Sequence, residues 1–391
     1  MAHSRLSPQH SKLRLPGLAD VHVHLREPGG EHKETFATGT AAALAGGVTT
    51  VLAMPNTTPP LATAETFALA WARAQAGARS DWGIFLGGTD ANAGALAPAL
   101  QAQAAGLKLY VNDTFGQLRI DSLSTLLRHF ASWQGPGPIV CHAERLMVPA
   151  VIALAAQFGQ RLHIAHVSRA DELAVIRAAK TRGLPVSCEV TPHHLWLTEE
   201  DLLRLGPLGD MRPRLATAAD RAALWQGIAD GTVDSIATDH APHTLEEKLG
   251  QPAREPGNAQ HSARHTPPPG VPGLETMLPL LLTAVHEGRL TLERLVELTA
   301  TAPRHIFRLP AQSETWVEVD LGTPWTLPER GWQTKASWSP FTGLTVYGHV
   351  VRTIVRGVEV FDGNIVSAPP GFGRPVRPHH SELKSHSQEE Q

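Results

Sequence analysis

The stretch LADVHVHLREPGG, residues 18–30, opens as an apolar run and closes in a turn. In an extended strand successive side chains point to opposite faces, so His22 and His24 share one face while Val21, Val23 and Leu25 share the other. Two imidazoles on one face are half of a metal site or simply a polar strand end, and the spacing alone does not choose between them. The fold follows from how often this unit recurs. Short runs rich in Val, Ile and Leu return as VTTVLAMP from 48, DWGIFLGG from 81, GLKLYV from 106, PIVCHAE from 138, RLHIAHVS from 161, LPVSCEV from 184 and VDSIATDH from 233. Between most of them lie Ala- and Leu-rich segments of helical length, such as TFATGTAAALAGG, AETFALAWARAQAG and ADELAVIRAAKTRG, the last with Gly183 as its stop. Strand and helix alternating through eight units predict an α/β protein, a (β/α)8 TIM-type barrel. The units show no sequence repeat, which excludes a solenoid.

The chain has 391 residues, enough for a large domain with an accessory layer. Its 34 basic and 37 acidic residues give a net charge of −3 without long runs, so no electrostatic footprint for nucleic acid or an anionic membrane is present, and a small substrate fits better. Cys141 and Cys188 each sit in an apolar run, which predicts buried thiols in a reducing, cytoplasmic setting rather than a disulfide framework. No run of 18 apolar residues is present to span a bilayer.

Residues 1–15 carry no continuous apolar stretch and read as a leader or a linker, and residues 16–313 read as the barrel. After residue 245 the sequence GQPAREPGNAQHSARHTPPPG predicts a long surface loop. GLETMLPLLLTAVHEG and TLERLVELTATAPRHIF then read as helices that complete the outer ring. Residues 314–370 alternate as short strands with Gly turns, a small accessory β-structure, and residues 371–391 read as a disordered tail.

Barrels of this kind carry their working residues at the C-terminal strand ends. There the sequence places His22 and His24 on the first strand, Lys108 on the fourth, His142 on the fifth, His166 on the sixth, and Asp239 and His240 on the eighth. A lysine inside an apolar strand loses solvation, which favours the neutral, reactive amine. Condensed with carbon dioxide it becomes a carbamate able to bridge two cations, whereas alone it would snorkel past the strand end.

With these residues in view, the chain resembles the cyclic amidohydrolases of the amidohydrolase superfamily. Within them it is most similar to the dihydroorotases, in particular the dihydroorotase domains of animal CAD multifunctional proteins. The similarity spans roughly residues 12–370 and rests on DVHVHLREPG, AMPNT, GLKLYVNDTF, CHAE, CEVTPHHL, ATDHAPHTLEEK and PPPGVPGLETMLPLLLTAV, in the family's order.

The resemblance implies a metal-dependent barrel with two zinc ions. His22, His24, N6-carboxylated Lys108 and Asp239 would hold one, and Lys108, His142 and His166 the other, with Asp239 also the catalytic proton carrier. It further implies that Arg26, Asn56 and His243 clamp a substrate carboxylate, that Arg212 and the main chain at Pro269 contact substrate, and that Thr114 and Phe115 tip a mobile loop. The implied reaction is reversible cyclisation of N-carbamoyl-L-aspartate to L-dihydroorotate in de novo pyrimidine (UMP) biosynthesis. A homodimer, and an association with or cut from carbamoyl-phosphate synthetase and aspartate transcarbamoylase domains, are implied as well.

Two departures stand out. Ala165 occupies the position of a cysteine in animal members, which puts a third ion in question although Glu189, its possible co-ligand, is present. The segment 251–266 is longer than the family pattern. His193 and His194 read as structural, and His163, an odd number of residues from His166, as core. Two other readings stand beside the leading one: a hydantoinase-, dihydropyrimidinase- or allantoinase-like enzyme, which would not need Arg26 with Asn56, and a catalytically silent assembly partner, which would be expected to have lost ligands.

Overall fold

The computed structural model describes residues 12–114, 116–250, 266–328 and 330–378. After β1 (Lys12–Pro16), nine strand segments follow in chain order: β2 (Leu18–Val23), β3 (Val48–Ala53), β4 (Asp81–Ile84), β5 (Leu86–Gly87), β6 (Leu107–Tyr110), β7 (Ile139–His142), β8 (Leu162–Ile164), β9 (Val186–Val190) and β10 (Ser235–Ile236). Every apolar run picked out above supplies one barrel strand, with β4 and β5 as two pieces of one run interrupted at Phe85. Neighbours pair in parallel from β2 to β4 and from β5 to β10. The two sheets join at Phe85, whose amide reaches the Ala53 carbonyl at 3.0 Å. The ring closes through a parallel bridge between Val23 and His240. Strands in a parallel barrel are covered on both faces, which is why these runs are apolar at nearly every position.

Helices fill most crossovers, including 36–45, 64–77, 123–132, 147–158, 170–181 and 218–229. Thr35, Thr63 and Thr217 cap three of them, each accepting an amide of the first turn that has no partner inside the helix. Gly183, with φ of 73°, follows the helix 170–181 and turns the chain into β9, as the stop signal predicted. The segment 291–307 departs from the expected single helix: a π-helical turn, Glu297–Thr301, separates Leu292–Val296 from Ala302–Ile306. Pro303 has no amide to offer the Thr299 carbonyl, so the regular ladder cannot continue there.

Inside the barrel Val21, Leu52, Phe85, Val140 and Ala237 pack with Ile306, Phe307 and Val376, so the interior is filled rather than open. Cys141 and Cys188 are buried free thiols.

Five further strands, β11 (Trp316–Asp320), β12 (Trp325–Thr326), β13 (Thr345–Val346), β14 (His349–Val355) and β15 (Val358–Phe361), form the accessory β-structure. Its main sheet runs β1-β11-β14-β15 and is antiparallel throughout. The leader boundary expected at residue 15 therefore cuts through β1, which belongs to a sheet completed some three hundred residues later. Nor is residue 371 the start of a loose tail: Trp82 donates to the Arg374 carbonyl at 3.0 Å, and Val376 donates back to the Trp82 carbonyl at 2.7 Å. Residues 1–11, 251–265 and 379–391, which hold the rest of the leader, nearly all of the long loop and the rest of the tail, lie outside the described residues.

Asp81, at the start of β4, ties these parts together. It accepts from Arg356 at 2.5 Å, Gln312 at 2.7 Å and the Arg374 amide at 2.9 Å. Asp81→Ala leaves that enclosed guanidinium without its anion and should cost about 3 kcal/mol, read as a lower urea midpoint at unchanged slope.

Candidate metal centre

His22 lies on β2 and His24 just beyond it, and Asp239 follows β10, so closing the ring is what brings them together. The ligand atoms of His22, His24 and Asp239 lie within 4.8 Å of one another. A chain of imidazoles continues from them, with ring centroids 5.4 Å apart for His24 and His22, 5.1 Å for His22 and His166, and 4.5 Å for His166 and His142. His166 and Asp239 both take left-handed backbone, φ 36° and 45°, which turns each side chain at the mouth of its strand.

The hydrogen bonds around the pair of histidines leave a specific gap. His22 Nδ1 lies 2.5 Å from Glu189 Oε1, and His24 Nδ1 lies 2.6 Å from Asn56 Oδ1. In the neutral tautomers that donate to these oxygens, both Nε2 atoms present lone pairs toward Asp239 Oδ1, at 3.3 and 3.0 Å. Three acceptors then face one another with no proton between them, an arrangement that a cation satisfies. Burial drives His24 down to about 4, against the pull of Asp239, so its ring is a neutral donor to metal at physiological pH. His166 is held well below its ordinary range, first by burial and then by His142, and His142 is lowered by burial too. Burial alone would raise Asp239; a proton on His22 and then on His24 holds it well below the usual carboxylate range, the part that a cation takes where the rings are neutral.

Lys108, on β6, is fully buried and its Nζ has no hydrogen-bond partner among the described residues. Burial lowers it to about 8, with Glu189 and then Asp239 opposing. His166 Nδ1 and His142 Nε2 likewise lack hydrogen bonds, the latter lying 3.3 Å from Glu144 in an ion-pair contact without hydrogen-bond geometry. These unsatisfied nitrogens are costly in a dry interior. On their other sides His142 Nδ1 and His166 Nε2 face each other at 2.8 Å next to the first cluster, an approach that a second cation would also satisfy.

The orienting groups were harder to read from sequence. Glu189 spans His22 and His163 Nε2, the latter at 3.1 Å, so His163 is buried as expected but as a polar partner rather than as packing. Asp20 accepts from the amides of His22 at 3.1 Å and Thr238 at 3.2 Å, and burial raises it to about 7. His240 turns instead to Glu34, at 3.3 Å, and to the Gly273 amide, at 3.1 Å. His194 is structural, bonded to Thr191 and the Pro213 carbonyl, and His193 is buried beside it.

Next to the centre, Arg26 is buried with φ of 59°, and its Nη2 lies 3.1 Å from His243 Nε2. His243 Nε2 also lies 3.0 Å from the Pro269 carbonyl, and its Nδ1 3.1 Å from Lys33 Nζ. Burial, then Arg26 and Lys33, keep this imidazole neutral. Lys248, which the motif ATDHAPHTLEEK contains but no chemistry had singled out, is fully buried and donates to the carbonyls of Asp210, Pro268 and Gly270 at 2.8, 3.0 and 3.1 Å. It thereby fixes the main chain around Pro269 against the segment carrying Arg212, whose guanidinium pairs with Asp210 at 2.5 Å. Thr114 is half-buried on the loop after β6, and Phe115 lies outside the described residues. That loop passes close to Asn56: a Cβ on Gly116 would sit 3.4 Å from the Asn56 Cβ.

Comparisons with known proteins agree with this geometry. Residues 11–123 match the family model described as Dihydro-orotase-like. The multifunctional protein CAD of Squalus acanthias is 51% identical over 94% of the chain, which spans only 16% of that protein's length. A dihydroorotase of Lactiplantibacillus plantarum is 38% identical over 88% of the chain and 85% of its own. Among solved structures, the L-hydantoinase of Arthrobacter aurescens superposes with a TM-score of 0.82 at 26% identity, covering 94% of this chain and 89% of its own.

If Glu189 orients His22 as the hydrogen bonds indicate, Glu189→Ala should weaken zinc binding about 10- to 100-fold, measured by competition with a chromophoric chelator.

Proposed function

The chain belongs to the dihydroorotase-like family of amidohydrolases, and from that membership we propose that it is a dihydroorotase, a metal-dependent hydrolase interconverting N-carbamoyl-L-aspartate and L-dihydroorotate in pyrimidine biosynthesis. The observation that carries the reading is the convergence of His22 Nε2 and His24 Nε2 on Asp239 Oδ1, at 3.3 and 3.0 Å, while their Nδ1 atoms are held by Glu189 and Asn56. We assign one zinc ion to His22, His24, Asp239 and N6-carboxylated Lys108, and the other to Lys108, His142 and His166. Their chemistry suits zinc, and a buried lysine nitrogen with no partner suits carboxylation. Two ions rather than three fit this chain, since Ala165 offers no donor and the Glu189 oxygens are engaged by His22 and His163.

When bound, the ions supply Lewis acidity toward the substrate carbonyl. The chain's own residues do the rest. Arg26 offers a fork to the free carboxylate of the substrate, with His243, Asn56, Arg212 and the main chain at Pro269 completing the contacts. Asp239, held ionised at neutral pH, accepts the proton that the ureido nitrogen releases as the ring C–N bond forms and hands it to the hydroxyl of the carboxylic acid, which departs as water; in reverse it takes a proton from the attacking water and gives it to the ring nitrogen as the C–N bond breaks. Thr114, on the loop passing Asn56, and its sequence neighbour Phe115 are assigned to exclude water from that exchange.

A buried arginine beside the cluster favours a substrate with a free carboxylate over the uncharged rings of hydantoinase-type enzymes. Presence of every ligand type speaks against a silent assembly partner. The match to CAD along one stretch of its length supports association with, or derivation from, a multifunctional polypeptide. No helix among the described residues is long and apolar enough to cross a membrane, and we place the enzyme in the cytoplasm as a homodimer.

The purified chain should hold two metal ions, turn over dihydroorotate, and leave dihydrouracil and hydantoin largely untouched; a two-metal preparation inert toward dihydroorotate overturns the assignment. Asp239→Ala should lower kcat by about 10²- to 10⁴-fold in both directions. Arg26→Ala should act mainly by raising KM.

A further inference from the structure

A cavity of about 680 Å³ opens at the end of the barrel opposite the metal centre, bordered by Arg161, Arg304, His305, Arg308, Pro16 and Leu309 among others. Arg161 stands immediately before β8 and Pro16 just before β2, at the N-terminal strand ends, whereas the imidazole cluster lies at the C-terminal ends. Its described lining contains three arginines and a histidine but no carboxylate.

Two of the guanidiniums, Arg161 and Arg304, are positioned but not neutralised. Arg161 donates to the carbonyls of Pro136, at 3.0 Å, and Ile306. Arg304 donates to the Gln312 amide oxygen at 2.6 Å and the Gly17 carbonyl at 3.2 Å. The carboxylate that acts on Arg304 electrostatically, Asp81, is already paired with Arg356 at 2.5 Å. Burial, and then the neighbouring Arg308, lower Arg161 to about 10, as expected where two cations share a site without a counter-ion.

The backbone adds a second, independent observation. The helix Ala302–Ile306 ends with Leu309 donating to the Arg304 carbonyl at 2.8 Å and Arg308 donating to the His305 carbonyl at 3.2 Å, a termination that favours glycine at residue 308. Arg308 takes that left-handed place, with φ of 51°, which a side chain adopts only under strain. The π-helical turn Glu297–Thr301 forms another wall through Ala300 and Thr301. Strained residues and π turns concentrate where a fold does something besides pack.

We propose that this cavity binds a small phosphorylated anion, at a site separate from the metal centre. Three guanidinium charges, two of them held by oxygens of the chain that leave the charge uncompensated, suit an anion carrying two or more charges, which phosphate groups supply and a single carboxylate does not. The volume lies within the range of small-molecule sites, and the walls Pro16 and Leu309 give the ligand an apolar face to rest on.

Inorganic pyrophosphate, titrated calorimetrically into the metal-loaded chain, is the probe. One saturable site is expected, weakened by added salt and weakened at least tenfold in R308G. Because glycine relieves the left-handed strain, R308G should also keep its metal content and raise Tm, which separates lost binding from lost folding. R308K should bind with intermediate affinity. Failure of pyrophosphate to bind, equal affinity for R308G, or binding of hexaglutamate without binding of pyrophosphate would each overturn the proposal.

Discussion

Closure of the barrel places residues 20–24 against residues 238–240, and the chemistry depends on that seam. His24 donates to the His240 carbonyl at 2.8 Å, and Asp20 accepts from the amides of both His22 and Thr238. Each such bond is worth only about 0.5–1.5 kcal/mol net, but leaving any of these buried groups unmade costs more than that. The seam joins stretches more than two hundred residues apart and thereby sets Asp239 between two histidines. Without it the centre is a pair of imidazoles on one strand and a carboxylate on another.

The seam also explains why the centre is electrostatically tense. Neutral rings, an ionised carboxylate and a desolvated lysine crowd a volume from which water is excluded, and several of their nitrogens lack hydrogen bonds. Burying such groups unpaired is unfavourable, so stability cannot be the reason for their assembly. The rest of the barrel, with its filled interior beneath the centre, bears that cost.

Much of this was readable from residues alone, and the reason is geometric. Parallel barrel strands are buried on both faces, so their runs stand out as apolar, and polar residues at their C-terminal ends are conspicuous. His22, His24, Lys108, His142, His166 and Asp239 stand out in this way, and all six are buried in the fold. What local pattern does not encode is partnership across distance. The pairing of β1 with β11, the descent of Val376 into the barrel interior, and the double use of Glu189 by His22 and His163 depend on which segments meet in space. Lys248 illustrates the limit most sharply: in sequence it ends a charged EEK triplet, yet in the fold it is buried and serves three carbonyls. The π turn before Pro303 was hidden for a different reason, since an apolar period continues through it while the hydrogen-bond ladder does not.

The loop after β6 begins and ends at almost the same point. Tyr110 pairs with Arg119, and Ile120 donates back to the Tyr110 carbonyl at 2.9 Å, so the intervening residues form an excursion whose two feet are fastened together. Feet fastened in this way decouple the excursion from the strand that carries it. A substitution at Thr114 should therefore pass little displacement down β6 to Lys108, two positions before Tyr110.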